Sequence, residues 1–252
     1  MFWTKKGRER VSVFTGTLDN IAVSGEEILV RFESCIYVGD TLDGGASLWL
    51  QKCNADGSEV KRYLEGPDSG EITGSFVSEE KQAMPSVPIQ CHCKGVDFVL
   101  RKGDYETKSK EELPWFVDPT TRKYIASFDA CDTCRLSSGV DLFNWTFAEL
   151  ENITLSSDLK VSTTKELRKL VDDKNPAVGT LAYYASSPDV QRYFCSKCSA
   201  CVFYAADDRP DIVDVAIGLL VADGARAEGF LSWNRDKVGW SQDVKGGWRE
   251  AS

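Results

Sequence analysis

The sequence predicts a mainly β protein whose C-terminal half is pinned by a metal ion. Two observations predict it. Most apolar stretches are short, rich in β-branched and aromatic residues, and bounded by Gly, Asp, Asn or Ser, which is how strands read. Cysteines also come in tight pairs far apart in the chain, Cys91-His92-Cys93 near the middle and Cys195-Ser196-Lys197-Cys198 near the C-terminus. Each pair has the spacing of half a tetrathiolate site.

Taken in order, residues 28–32, 95–100, 202–204 and 212–220 read as strands. Residues 163–173 carry the clearest helical pattern: Leu167, Leu170 and Val171 share one face, and Ser162 or Thr163 stands where a cap is needed. A short helix or turn is expected over 225–233. Residues 74–88 are polar with two prolines and read as a linker. The charged stretch 102–119, with Pro114 and Pro119, reads as a surface loop. This divides the chain into a part over 1–80 and a second over 88–245.

The two parts read as diverged copies. Residues 14–18, 43–49 and 63–67 resemble 93–96, 138–145 and 184–188, in the same order. The first copy keeps Cys35 and Cys53 but no cysteine pair, so it is expected to hold no zinc. A β-rich extension is the alternative.

Bulk properties narrow the function. The chain has 252 residues, 42% of them hydrophobic, which is enough for a packed core. A net charge of -9, with Lys and Arg scattered among acids, argues against a nucleic-acid partner. No apolar run reaches the ~20 residues of a membrane span. Residues 1–10 lack the apolar core of a secretory signal. A cytoplasmic address is therefore expected, where reduced thiols favour metal over disulfide. Nine cysteines, an odd number, fit a closed disulfide framework poorly. The single histidine, His92, lies between two expected ligands, which argues against Ser-His-Asp catalysis.

Cys91 and Cys93, two apart on a strand end, share a face. Cys195 and Cys198 can fold as a knuckle whose backbone N–H groups point at the sulfurs. Zinc accepts four thiolates in a tetrahedron. At such a site the binding free energy, on the order of 10 kcal/mol, becomes folding free energy. Reduced core cysteines are the alternative. A third pair, Cys131-Asp132-Thr133-Cys134, does not complete a site alone. Asp129, two residues before Cys131, or Cys201, three after Cys198, are candidate further ligands. Three protein ligands and an open position make a catalytic type of site. Arg135 is the candidate to orient an anionic group. An eroded, metal-free site is the alternative. Trp145, Tyr183 and Tyr184 are candidates to line a substrate pocket, or else belong to the core.

Gln90-Cys91-His92-Cys93, the run from Cys131-Asp132-Thr133-Cys134 to Gly139, and Arg192-Tyr193-Phe194-Cys195-Ser196-Lys197-Cys198 resemble the three motifs of one family. It is the glutathione-dependent formaldehyde-activating enzyme family, which includes centromere protein V. The resemblance covers about residues 88–240, and the stretch 224–233 resembles a fungal branch with a similar leading segment. It implies a β-tent, small antiparallel sheets pinned by zinc, with Cys91, Cys93, Cys195 and Cys198 as the structural ligands. In the family a central C-x-C-x-x-C holds a catalytic zinc. Its last two cysteines match Cys131 and Cys134, and its first is Asp129 here. An oxygen ligand makes a harder, more weakly held site.

The resemblance implies a carbon–sulfur lyase or related zinc-dependent tailoring enzyme acting on a thiol adduct or small carbonyl metabolite in secondary metabolism. Glutathione is the implied co-substrate. Asp129 serves as ligand or as general base, its pKa raised by burial. The competing expectations are a zinc-stabilised binding module without catalysis and a purely structural subunit. The expected partner is a small-molecule substrate, with a homo-oligomer left open.

Overall fold

Side chains that alternate between two faces organise this chain. The computed structural model describes residues 2–5, 8–11, 13–21, 30–74 and 82–251. In order these hold β1 (Phe2–Lys5), β2 (Arg8–Val11), β3 (Ser34–Cys35), β4 (Lys61–Arg62), β5 (Ser86–Gln90) and β6 (Asp97–Arg101). Next come β7 (Tyr124–Asp129), α1 (Asp132–Ser138), β8 (Phe143–Glu149), β9 (Ile153–Thr154) and α2 (Thr164–Asp172). The last are β10 (Leu181–Ser187), β11 (Val190–Cys195), β12 (Cys201–Ala206), β13 (Ile212–Ala216) and β14 (Leu231–Gly239). The protein is mainly β. Among the described residues no helix is long and apolar enough to cross a membrane.

The main sheet has seven strands in the order β10-β11-β12-β13-β8-β7-β14. Its pairs are antiparallel except β14 with β7, which run parallel. A second sheet has the order β5-β6-β9. Burial alternates along β7, where Tyr124, Ala126 and Phe128 are covered, and along β11, where Gln191, Tyr193 and Cys195 are. One face of the main sheet therefore meets the smaller sheet, and Phe98 stacks on Phe203 with ring centroids 6.2 Å apart. Val87, Ile89, Leu100 and Ile153 join Val213 and Val215 in that core. The opposite face carries a smaller cluster of Cys134, Trp145 and Ala216.

The helix α2 forms as its sequence predicts. Thr163 accepts from the Glu166 N–H and the Glu166 carboxylate accepts in return, a reciprocal cap. Leu167 is fully buried.

Several local expectations differ. Ile28 and Leu29 lie outside the described residues, and 30–32 form no strand. Residues 75–81 of the expected linker also lie outside them, while β5 starts within that stretch at Ser86. Pro88 is tolerated because β5 is an edge strand, where a missing N–H breaks no ladder bond. Stretch 102–119 is more than surface: Tyr105, Phe116 and Val117 are buried, although Trp115 is exposed. Its charges mask three core residues. The strand at 212 stops at Ala216 and passes into a 3-10 turn over Ile217–Leu219. Over 225–233 a turn leads into β14 at Leu231.

The segments matched between the two parts take different local structures. Residues 45–48 form a 3-10 turn, whereas 138–145 contain the end of α1 and the start of β8. Residues 64–67 are bends and turns, whereas 184–187 belong to β10. Short strand pairs and turns in the first part pack on the second. Buried Asp43 accepts from the Ala225 and Arg226 N–H groups, and Trp49 lies 5.1 Å from Trp233, ring to ring.

Candidate metal centres and cleft

Among the described residues, two clusters of side chains that could hold a metal form on opposite faces of the main sheet. The first joins the sheets. Cys91 follows β5, and Cys195 ends β11. Each pair sits in a reversing turn: the Lys94 N–H donates to the Cys91 carbonyl at 2.9 Å, and the Ser199 N–H to that of Cys195 at 2.8 Å. Lys94 and Ser199 take left-handed φ values of 57° and 61° to close them.

The Sγ atoms of Cys91, Cys93, Cys195 and Cys198 all lie within 4.8 Å of one another. Cys93 is 3.6 Å from Cys91 and 3.5 Å from Cys195, sulfur to sulfur. Four sulfurs about 2.3 Å from one tetrahedral ion stand about 3.8 Å apart, whereas a disulfide needs about 2.05 Å. The donor set and spacing are thus compatible with zinc.

The surroundings favour thiolates. The Val96 N–H donates to Cys91 Sγ at 3.3 Å, and the Thr180 hydroxyl lies 3.0 Å from Cys195 Sγ. Burial works against a charge on Cys195, but Thr180 and the N–H groups of Cys198 and Lys197 outweigh it and hold the thiol below its usual range. Cys93 goes the other way: the Gly95 N–H favours its thiolate, but burial and three crowding sulfurs prevail and push it up. Four thiols share protons where one divalent cation would replace them.

Close backbone approach makes this cluster. The Thr180 N–H donates to the Gly95 carbonyl at 2.8 Å. Gly179 has φ 58°, and a Cβ there would lie 2.1 Å from Gly95 O. Gly179→Ala is therefore expected to cost about 2–4 kcal/mol of stability in urea titration. A change below about 0.5 kcal/mol would contradict this packing.

The second cluster gathers Asp129, Cys131 and Cys134, whose ligand atoms also lie within 4.8 Å of one another. Asp129 ends β7, Cys131 is the N-cap of α1, and Cys134 is three residues on. Asp129 Oδ1 accepts from the Cys131 N–H at 2.7 Å. Burial raises the Asp129 pKa to about 6, against the opposing pull of that N–H. Cys131 is lowered, chiefly because the Cys134 thiol donates to it, with help from the Cys134 and Thr133 N–H groups. Cys134 is raised by that same bond and by burial, and Arg192 opposes the rise.

A cleft of about 270 Å³ adjoins this triad. Cys134 and Arg192 line it, with Phe143, Trp145, Tyr184 and Phe194 as walls. Trp145 and Tyr184, candidates to line a pocket, both lie in the lining of this cleft. Tyr183 does not: strand alternation turns it away, its hydroxyl donates to Asp172 on α2 at 2.9 Å, and its ring packs on Tyr193. Cys201 also lines the cleft, but it lies outside the triad, and burial pushes its thiol up to about 11.

Arg135 is a correction. One residue beyond Cys134, it is rotated about 100° around the helix axis and leaves the cleft. Its guanidinium is buried, pairs with Asp132 at 2.8 Å and donates to the carbonyls of Gly16 and Leu18. The cleft cation is Arg192, whose Nη1 lies 3.4 Å from Cys134 Sγ. Its guanidinium carbon stands 5.0 Å from the centre of the Tyr204 ring. A signal for it was present: Arg192 is three residues before Cys195, so on one strand the two face opposite sides. Sequence reading also missed Asp214, almost fully buried beside Arg209 at 2.9 Å, its pKa raised to about 7 by burial.

No family model matches the chain, and no curated protein matches it. Among solved structures, a structural-genomics crystal structure of a Rhodobacter sphaeroides protein is similar over 58% of this chain and 99% of that chain, with 16% identity and a TM-score of 0.35.

Proposed function

We propose that the chain is a zinc-dependent enzyme of the carbon–sulfur lyase type, as its three cysteine motifs suggest by resemblance. In this reading one zinc staples a β-tent at Cys91, Cys93, Cys195 and Cys198, and a second is held by Asp129, Cys131 and Cys134. The observation that carries it is the convergence of that second triad beside a cleft. Asp129, Cys131 and Cys134 would hold the ion with one position left open, where it would supply Lewis-acid polarisation of a carbonyl or a site for a thiolate.

The remaining roles fall to the chain itself. Arg192 receives an anionic group of the substrate, the role expected of Arg135. Phe143, Trp145 and Tyr184 cover an apolar body and exclude water. Asp129 completes the ligand set or takes up a proton. A volume of about 270 Å³ lies just under the ~300–1,000 Å³ of common small-molecule pockets. A small substrate suits this space, and glutathione is the co-substrate that the resemblance implies. A reducing, cytoplasmic setting suits nine free cysteines.

The test is zinc per chain by elemental analysis. Two zincs are expected in the wild type and one in Cys134→Ser, which keeps its fold. One zinc in the wild type would favour the competing reading, a zinc-stabilised binding module, which the weaker oxygen ligand Asp129 supports.

A further inference from the structure

Helix α1 carries Cys134, and Cys131 as its N-cap, but has only 7 residues, too short to hold its own orientation. A second segment lies across it. Residues Thr15–Thr17 form a 3-10 turn against the end of α1, where the Gly16 N–H donates to the Gly139 carbonyl at 3.2 Å. A Cβ on Gly16 would lie 2.4 Å from the Val140 carbonyl oxygen and 2.5 Å from Gly139 C, so this approach requires glycine.

Two buried arginines fasten the segment. Arg135, from α1 itself, donates to the Gly16 carbonyl and, at 2.8 Å, to that of Leu18. Arg249 donates to the carbonyls of Thr15 at 2.6 Å and Leu18 at 3.0 Å, and its Nε meets Asp141 at 3.0 Å. The Thr15 hydroxyl also bonds Asp141, and Trp248 Nε1 donates to the Asp19 carbonyl at 2.9 Å. Residues far apart in the chain thus converge on the helix that bears Cys131 and Cys134. Both arginines are buried, so loosening one of these charge-assisted bonds leaves an unpaired donor at a cost.

We infer that residues 15–18 are a positioning strap, with Arg135 and Arg249 as its anchors, that sets α1 so that Cys131 and Cys134 face Asp129. Its effect on metal binding rests on the reading of that triad as a metal site. Its effect on the thiols does not.

The experiment uses the full chain as wild type, Gly16→Val and Arg135→Gln, with Arg135→Lys for rescue. Cobalt(II) is titrated and its thiolate absorption followed. Alkylation of Cys134 by iodoacetamide is measured by peptide mass spectrometry, with and without cobalt. The strap predicts that cobalt at the triad weakens roughly 10–100-fold in Gly16→Val and Arg135→Gln, while the tetrathiolate site is unchanged. Cys134 alkylation rises in both states, and Arg135→Lys recovers part of the loss. If the wild type takes up one cobalt but Cys134 alkylation still rises in the variants, the metal reading falls and the strap stands. Unchanged Cys134 alkylation in both variants overturns the strap, whatever the metal count.

Discussion

Cys195→Ser is expected to abolish cooperative folding of the C-terminal body. Cys195 is fully buried at the end of β11, one strand in from the edge of the main sheet. Its sulfur receives the Thr180 hydroxyl and two backbone N–H groups. A serine would leave those donors facing a weaker acceptor and leave three thiols around a vacated ligand position. Apparent binding free energies of structural zinc are about 10–16 kcal/mol, as large as the ~5–15 kcal/mol total stability of a typical domain. With zinc held there as proposed, losing the ligand would remove about as much as the whole fold holds in reserve. Circular dichroism should show lost sheet signal, urea should give no cooperative transition, and zinc at this site should be absent. A soluble Cys195→Ser protein that unfolds cooperatively with its zinc content intact would contradict this.

Arg192→Gln should act on the site and not on the fold. The guanidinium is the charged partner of Cys134 Sγ, and its removal leaves a buried sulfur without the donor that opposes its raised pKa. Loss of such an outer partner typically costs roughly 10–100-fold in metal affinity or activity. The same variant should discriminate less between an anionic substrate and its neutral amide, because Arg192 is the cation that lines the cleft. Arg192→Lys should recover only part, since an ammonium cannot reproduce a planar fork that also reaches Ser186. Unaltered metal affinity together with unaltered charge preference in Arg192→Gln would remove Arg192 from the site.

The two clusters of thiols and carboxylate were legible in the sequence because residue type and spacing mark side chains that can converge. The pairs Cys91/Cys93 and Cys195/Cys198 come together as their spacing implied, and Asp129 joins Cys131 and Cys134. The helix α2 was legible from its cap and apolar face, both local properties. What failed was direction in space. Arg135 sits beside Cys134 in sequence, yet one step around a helix turned it toward Gly16, while Arg192, distant in sequence, reached the same sulfur. Tyr183 and Tyr184 are neighbours that a strand sends to opposite faces. The buried Tyr105 and Phe116 were hidden among charges because burial there is decided by tertiary packing. The parallel pairing of β14 with β7 depends on a long-range contact that no local pattern marks.

In the proposed reading a single ion joins the smaller sheet to the main one through four sulfurs. Zinc X-ray absorption on Asp129→Ala, which leaves only that site filled, tests it most directly. The prediction is one zinc per chain with four sulfur neighbours at about 2.3 Å. Folded protein without zinc, or with nitrogen or oxygen neighbours at about 2.0 Å in their place, would contradict it.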